Sequence, residues 1–240
     1  MKFGQVSDPE AINFELPADH ADTATVLAHS RGLSQVAVGC AKWNKTDLKN
    51  FYPKGTKDEL SYYSTQFNSI ELNATFYQAP TRAQVLVWKE KTPPDFRFFP
   101  KIPNTISHFK RLKDTQSLVE EFCDAVSAFE EKLGMVFLQM HDNFKPKDLD
   151  RVLRFVEDFP VAIPLGVELR NQEWFADGAA ADTFCQVLSQ QGRAHVLVDT
   201  AGRRDMLHMR LTSPVAFVRY VGANHPSDYP RLDCMMGWEI

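Results

Sequence analysis

The chain predicts an α/β fold, a TIM-barrel-like (β/α) barrel with seven evident strands, on three observations. Short apolar runs recur along it, each finishes on a polar or chemically useful residue, and amphipathic segments separate them. Strand–helix alternation at this rhythm implies a parallel sheet with right-handed crossovers. Parallel strands closed into a barrel collect their C-terminal ends on one rim, which is where such barrels do their chemistry. The 240 residues suffice for one domain of this kind, and no linker or low-complexity segment divides them.

Taken in order, residues 1–35 are polar, acidic-biased and without strong periodicity, and read as an N-terminal extension to a domain over 36–240. Within the extension, ADTATVLAHS (21–30) has helical character, with Asp19 or Asp22 near its start. The strands are VAVGC (36–40), SIELNATF (69–76), FRFFPKI (96–102), MVFLQM (135–140), PLGVELR (164–170), AHVLVDT (194–200) and VAFVRYVG (215–222). Helical spacing marks 57–67, 81–91 behind Pro80, 114–134, 145–160 and 179–191. The third of these is the clearest: Asp114 caps it, Leu118, Phe122, Val126 and Phe129 share a face, and Gly134 ends it. After the seventh strand the sequence runs out in RLDCMMGWEI, so a last strand and helix look missing. The first and seventh strands would then be open edges. The extension, a second copy of the chain in a homo-oligomer, or local packing must cover them.

Composition narrows the function classes. A net charge of −4 disfavours a chain that coats nucleic acid, although a local basic loop remains. No run of eighteen apolar residues exists, so no membrane span is expected. The N-terminus lacks the apolar segment of a secretory signal. The four cysteines show no CxxC spacing, which suits free thiols in a reducing cytoplasm.

Candidate chemistry lies at the strand ends. Glu71 and Asn73 are two apart and would share a strand face, with Glu71 as general acid or base or as a structural ion-pair partner. Lys101 ends an apolar strand, where a lysine is costly unless it meets a carboxylate, such as Glu71, or an anionic ligand. The following loop, PNTISHFKRLKD (103–114), is cationic and carries His108, whose ordinary pKa suits proton transfer. In GVELRNQEWF (166–175), Glu168 and Arg170 share a face and Trp174 adds an aromatic wall. Asp199 reads as a rim carboxylate or a helix cap, and Arg219 as an anion contact or its partner. Trp43, just after the first strand, could floor the pocket by stacking. No GxGxxG, P-loop, HExxH or GxSxG motif is present, and the histidines do not cluster, so neither a cofactor nor a metal is expected.

Taken together, GCAKWN (39–44), FYPKG (51–55), YYSTQFNSIELNATFY (62–77), TPPDFRFFPKIPNTISH (92–108), FLQM (137–140), GVELRNQEWF and VDT (198–200) resemble the YecE-like domain of unknown function, family seventy-two. The resemblance runs in order from about 36 to about 232 and implies a TIM-barrel-like fold, but no established activity. It points to Trp43, Glu71, Asn73, Thr75, Phe76, Tyr77, Lys101, His108, Gln139, Glu168, Arg170, Trp174, Asp199 and Arg219. Two departures stand out: His141 and Asp142 replace a proline pair of the family pattern, and the family's final strand has no counterpart before Ile240.

The leading expectation is an enzyme acting on a small anionic, phosphorylated or sugar-like substrate. Glu71, Lys101, His108, Glu168 and Asp199 would be its catalytic groups, and Trp43, Asn73, Tyr77, Gln139, Arg170, Trp174 and Arg219 would bind the substrate. Hydrolase, lyase and isomerase chemistry stay open. The alternatives are a nucleic-acid-binding or nucleic-acid-processing barrel, or a non-catalytic truncated scaffold.

Overall fold

The computed structural model describes residues 8, 12–29, 35–175, 178–200 and 207–221. Its strands are β1 (Gly39–Cys40), β2 (Ser69–Leu72), β3 (Arg97–Pro100), β4 (Val136–Gln139), β5 (Leu165–Glu168), β6 (Ala194–His195), β7 (Leu197–Thr200) and β8 (Val218–Val221). All pairings are parallel, in three sheets ordered β1-β2-β3, β4-β5-β6 and β7-β8. Bridges Phe98↔Leu133 and Lys101↔Phe137 carry the first sheet towards the second. At Val196 one chain segment changes partner. The Val196 N–H donates to Val167 (3.0 Å) and the next N–H, Leu197, donates to Phe217 (2.9 Å). Strands therefore follow one another in chain order, but among the described residues no pairing returns from β8 to β1, and the sheets do not close into a barrel.

Side-chain alternation sorts the strands into two faces. Ile70, Leu72, Phe98, Val136, Leu138, Leu165 and Val167 belong to the larger core cluster. There they join residues of α4 (Arg82–Glu90), α5 (Gln116–Ser127), α6 (Leu149–Asp158) and α7 (Ala179–Gln190), among them Val85, Phe122, Phe155 and Phe184. The opposite face forms a second cluster of Met135, Phe137, Ala194, Val196, Val198 and Phe217, with Phe99 and Val221 against it. Phe217 sits 5.2 Å from Phe99 and 5.3 Å from Phe137, ring to ring, and each buried phenyl of this kind contributes about 2–3 kcal/mol. Two glycines allow this inner packing. A Cβ on Gly134 would lie 2.7 Å from the Phe99 ring, and one on Gly166 would lie 3.0 Å from Met135 Sδ.

Helix boundaries differ from the sequence pattern for local reasons. The long helix begins at Gln116, because Asp114 is in the left-handed region (φ 49°) and Thr115 takes the cap position. It ends at Ser127, and a 3₁₀ turn, Glu130–Lys132, fills the interval before Gly134. Gly134 is therefore no helix terminator; it starts the approach to β4, donating its N–H to Phe98 (2.9 Å). Thr81, just after Pro80, caps α4, with Gln84 completing a capping box. The expected strand 69–76 stops at Leu72, where Asn73 turns helical and opens the short helix α3 (Ala74–Tyr77). Only α2 (Glu59–Tyr63), capped by Asp58, forms within 57–67.

The N-terminal helix, α1 (Ala21–His29), is tied to the segment before β8. Thr23 Oγ1 donates to the Met209 carbonyl (2.7 Å) and accepts from the Leu211 N–H (3.0 Å). Arg210 bridges Asp22 (2.6 Å) to Asp182 of α7. The end of the seventh expected strand at Gly222 and the RLDCMMGWEI tail lie outside the described residues. Among the described residues no helix is long and apolar enough to cross a membrane.

Candidate active site

The inner faces of β2, β4, β5 and β8 carry Glu71, Gln139, Glu168 and Arg219, all buried. Arg219 grips Glu71 with two parallel bonds, Nε to Oε2 at 2.8 Å and Nη2 to Oε1 at 2.9 Å, and its Nη1 donates to Glu168 Oε2. Gln139 Nε2 donates to both Glu168 oxygens at 3.0 Å. Arg170, half-buried just after β5, donates from Nε to Glu168 Oε1 at 2.6 Å. Such charge-assisted, bidentate contacts are the strongest class of side-chain hydrogen bond. Burial opposes ionisation of Glu168, but Arg170, Arg219 and Gln139 outweigh it and hold the carboxyl at about 2. Glu168 is thus a fixed negative charge near neutral pH. So low a proton affinity disfavours Glu168 as a proton donor or base near neutral pH.

Lys101 stands apart from this network. It is buried, yet its ammonium makes no hydrogen bond and no ion pair within 4 Å among the described residues. Its Nζ lies over the Phe76 ring at 4.4 Å and the Phe137 ring at 5.7 Å. Desolvation and the neighbouring Arg219 lower its pKa from 10.5 to about 8, against the opposing pull of Glu71 and Glu168. The expected Lys101–Glu71 pair is not formed, because Arg219 occupies both Glu71 oxygens.

The loop after β3 contains a π-helical turn, Thr105–Phe109, a distortion that is frequent at functional sites. The turn sets His108 edge-on to Phe76 (5.0 Å) and to His141 (5.3 Å), with Ser107 Oγ 2.9 Å from its Nδ1. Burial, then the charges of His141, Lys101 and Arg170, push the His108 pKa down to about 4, so its ring is neutral at neutral pH. Tyr77 and Phe109 are exposed beside these groups at 78% and 75%.

Other expected site residues are placed elsewhere. Asn73 leaves the strand and donates its side-chain N–H to the Ala41 carbonyl (3.4 Å), so it does not share a strand face with Glu71. Trp43 packs edge-on against Trp88 of α4 at 6.1 Å, in the helix layer. Trp174 is fully buried beside Phe144, whose carbonyl accepts its indole N–H at 2.7 Å, so it presents no wall to a ligand. Register sets Val198 opposite Arg219 and Asp199 opposite Tyr220, so alternation turns Asp199 to the face away from Arg219. Thr200, which the sequence places at the end of AHVLVDT without a role, is buried on the inner face, with a hydroxyl that has no hydrogen-bond partner among the described residues. Phe137 was legible by period two from Gln139. The role of Ser107 had no sequence signal.

Among the described residues no group of three or more His, Cys, Asp or Glu side chains is placed to hold a metal. A surface cavity of about 650 Å³ lies between α5 and α6, lined by Val119, Arg151 and Phe155 among others, and not at the strand ends.

The ordered strands and the buried ionic cluster invite comparison with known proteins. The model of the protein of unknown function DUF72 matches residues 37–236. The chain belongs to this family. It is 33% identical over 168 residues to UPF0759 protein YecE of Escherichia coli (strain K12), covering 69% of this chain and 59% of that protein. To UPF0759 protein YunF of Bacillus subtilis (strain 168) it is 27% identical over 173 residues, covering 68% of this chain and 60% of YunF. The match thus spans about three fifths of each relative's length. Among solved structures, a DUF72 family protein from Thermotoga maritima MSB8 superposes with a TM-score of 0.66 at 29% identity, covering 80% of this chain and 76% of that one. One from Enterococcus faecalis V583 gives 0.65 at 18% identity, over 82% and 76% of the two chains, a likeness of fold alone.

Proposed function

We propose that this protein is an enzyme acting on a small anionic substrate, phosphorylated or sugar-like, at the C-terminal ends of its parallel strands. The observation that carries this reading is Lys101: a buried ammonium left without a carboxylate partner while two carboxylates beside it are taken by other cations. Three cations (Lys101, Arg170, Arg219) gather around Glu71 and Glu168, a setting that favours an anionic ligand. On this reading Arg219 and Glu168 set the field, Lys101 and His108 hold or move protons, and Tyr77 flanks the entrance. Asp199, on the opposite strand face, has no part in the chemistry.

The same reading takes the three sheets as arcs of one open seven-stranded (β/α) barrel, with β6 and β7 as halves of one strand and the phenylalanine cluster as its interior. No resident cofactor or metal is required by the groups present. The three buried thiols at Cys40, Cys123 and Cys185, each with its pKa raised by burial, accord with a cytoplasmic setting. A second copy of the chain remains the proposed cover for the edges of β1 and β8.

A thermal-shift screen of phosphorylated metabolites, sugars and short oligonucleotides on the parent and Lys101→Ala tests the proposal. A small anion that raises the melting point of the parent and leaves the variant unmoved supports it. Stabilisation by oligonucleotides alone, steeply dependent on salt, would replace it with a nucleic-acid function.

A further inference from the structure

We infer that Lys101 is an imine-forming lysine, whose amine condenses with the carbonyl carbon of a small aldehyde or ketone that also carries an acidic group. The inference rests on the strand ends being an anion-binding active site, and it names the bond formed there. A structural lysine in a buried strand is held protonated by a carboxylate within ion-pair distance, yet here the two carboxylates that act on it, Glu71 and Glu168, are engaged by other donors. Arg219 spans both oxygens of Glu71, and Arg219, Arg170 and Gln139 share those of Glu168. The Nζ instead faces the Phe76 and Phe137 rings, 4.4 Å and 5.7 Å away. Aromatic walls remove water, and the Arg219 and Arg170 charges oppose a third cation, the two conditions that free a lysine amine for nucleophilic attack. The lowered proton affinity of Lys101, about 8, follows from the same surroundings.

The chemistry balances without a co-reactant. The neutral amine attacks the carbonyl carbon, a C–N bond forms, and the carbonyl π pair moves to oxygen, which takes up a proton released from nitrogen. A second proton on that oxygen lets it leave as water while the nitrogen lone pair closes the C=N⁺ bond. The net change is ammonium plus carbonyl giving iminium plus water. His108 contacts the same Phe76 ring, is held at Nδ1 by Ser107, and is placed to relay these protons at the entrance. The iminium restores the positive charge that the free amine lacks. The iminium then stands with Arg170 and Arg219 around the strand ends, a setting that suits an acidic group on the carbonyl compound.

The full chain is incubated near pH 7.5 with glyoxylate, pyruvate or dihydroxyacetone phosphate together with sodium cyanoborohydride, and the reduced adducts are mapped by peptide mass spectrometry. Expected is one adduct per chain at Lys101, at least tenfold enriched over the exposed Lys110 and Lys113, and absent from Lys101→Met. Thermal shifts of parent and variant with the same probes and with inorganic phosphate, without reductant, form the second arm. Should these anions stabilise the parent and not the variant while adducts fall only on exposed lysines, the imine is overturned and the anion site stands. Should neither adduct enrichment nor a parent-specific shift occur, both the imine and the anion site are overturned. Parent adducts are read without any variant, so a misfolded Lys101→Met leaves the result decisive.

Discussion

Replacing Lys101 with methionine should make the protein more stable. The fold lowers the lysine pKa from 10.5 to about 8. At about 1.4 kcal/mol per tenfold change in proton affinity, keeping the ammonium charged near pH 7 therefore costs the fold about 3 kcal/mol. The contacts with Phe76 and Phe137 return about 1 kcal/mol of this as cation–π attraction. Methionine matches the length of the stem and keeps the apolar packing, so the net gain is about 2 kcal/mol, or roughly 4–8 °C in Tm for a domain of this size. The sign also fixes the pH dependence. Folded Lys101 binds its proton more weakly than unfolded Lys101, so the parent gains stability as pH rises from 8 to 10.5, and the advantage of the variant fades across that interval. Urea unfolding of both proteins at pH 7, 9 and 10.5 reads this directly. A structural ion-pair lysine would behave oppositely, its loss costing about 3–5 kcal/mol by stranding a buried carboxylate. A variant less stable than the parent at pH 7, or a difference independent of pH, would refute the unpaired ammonium.

Arg219→Met leaves Glu71 and Glu168 buried against each other with their shared cation gone, and should cost about 3–5 kcal/mol in urea unfolding or prevent folding. His108 and His208 have pKa values lowered to about 4 against 6.5 when unfolded, chiefly by burial, so stability should fall as pH drops from 6.5 to 4. His108→Gln should flatten part of that decline, and an unchanged acid limb would count against a neutral His108. Trp174→Phe removes the indole donor to the Phe144 carbonyl and should cost about 1–3 kcal/mol. Gly134→Ala should destabilise by about 1–3 kcal/mol, because its methyl would meet the Phe99 ring; tolerance without a fall in Tm would mean that the inner ring has room to move.

Strand positions were legible because the inner and outer faces are both apolar, which gives continuous short runs bounded by helical periodicity. Their ends were not, since a strand stops where its neighbour's hydrogen bonds stop: SIELNATF reads as eight strand residues, yet Asn73 turns helical after Leu72. Glu71, Lys101, Gln139, Glu168 and Arg219 were legible as polar groups interrupting apolar runs, and they do meet on one inner face. Their partners were not, because pairing depends on register between strands far apart in sequence. Asp199 shows the limit most plainly: one step along β7 separates an inner position from an outer one, and nothing in AHVLVDT says which alternate set faces in. Trp43 and Trp174 belong to the helix layer, where aromatic side chains fill space, and composition alone does not distinguish that use from ligand stacking.

Arg219 lies in the two-stranded sheet, Glu71 in the first three-stranded sheet and Glu168 in the second, so one guanidinium joins all three pieces across the interior. The backbone does not close that circuit among the described residues, and the ionic network stands in its place. Desolvating three charges is costly, and the well-formed bidentate geometry offsets that cost only if every carboxylate oxygen is satisfied by Arg219, Arg170 or Gln139. Engaging the carboxylates has a second consequence: among the described residues none pairs with Lys101, which the strand order nonetheless places beside Phe76 and Phe137. The charges that hold the sheets together therefore also act on Lys101: after burial, Arg219 and Arg170 lower its proton affinity, while Glu71 and Glu168 pull the other way. A change meant to loosen the network, at Arg219 or Glu168, should therefore also alter the proton affinity of Lys101.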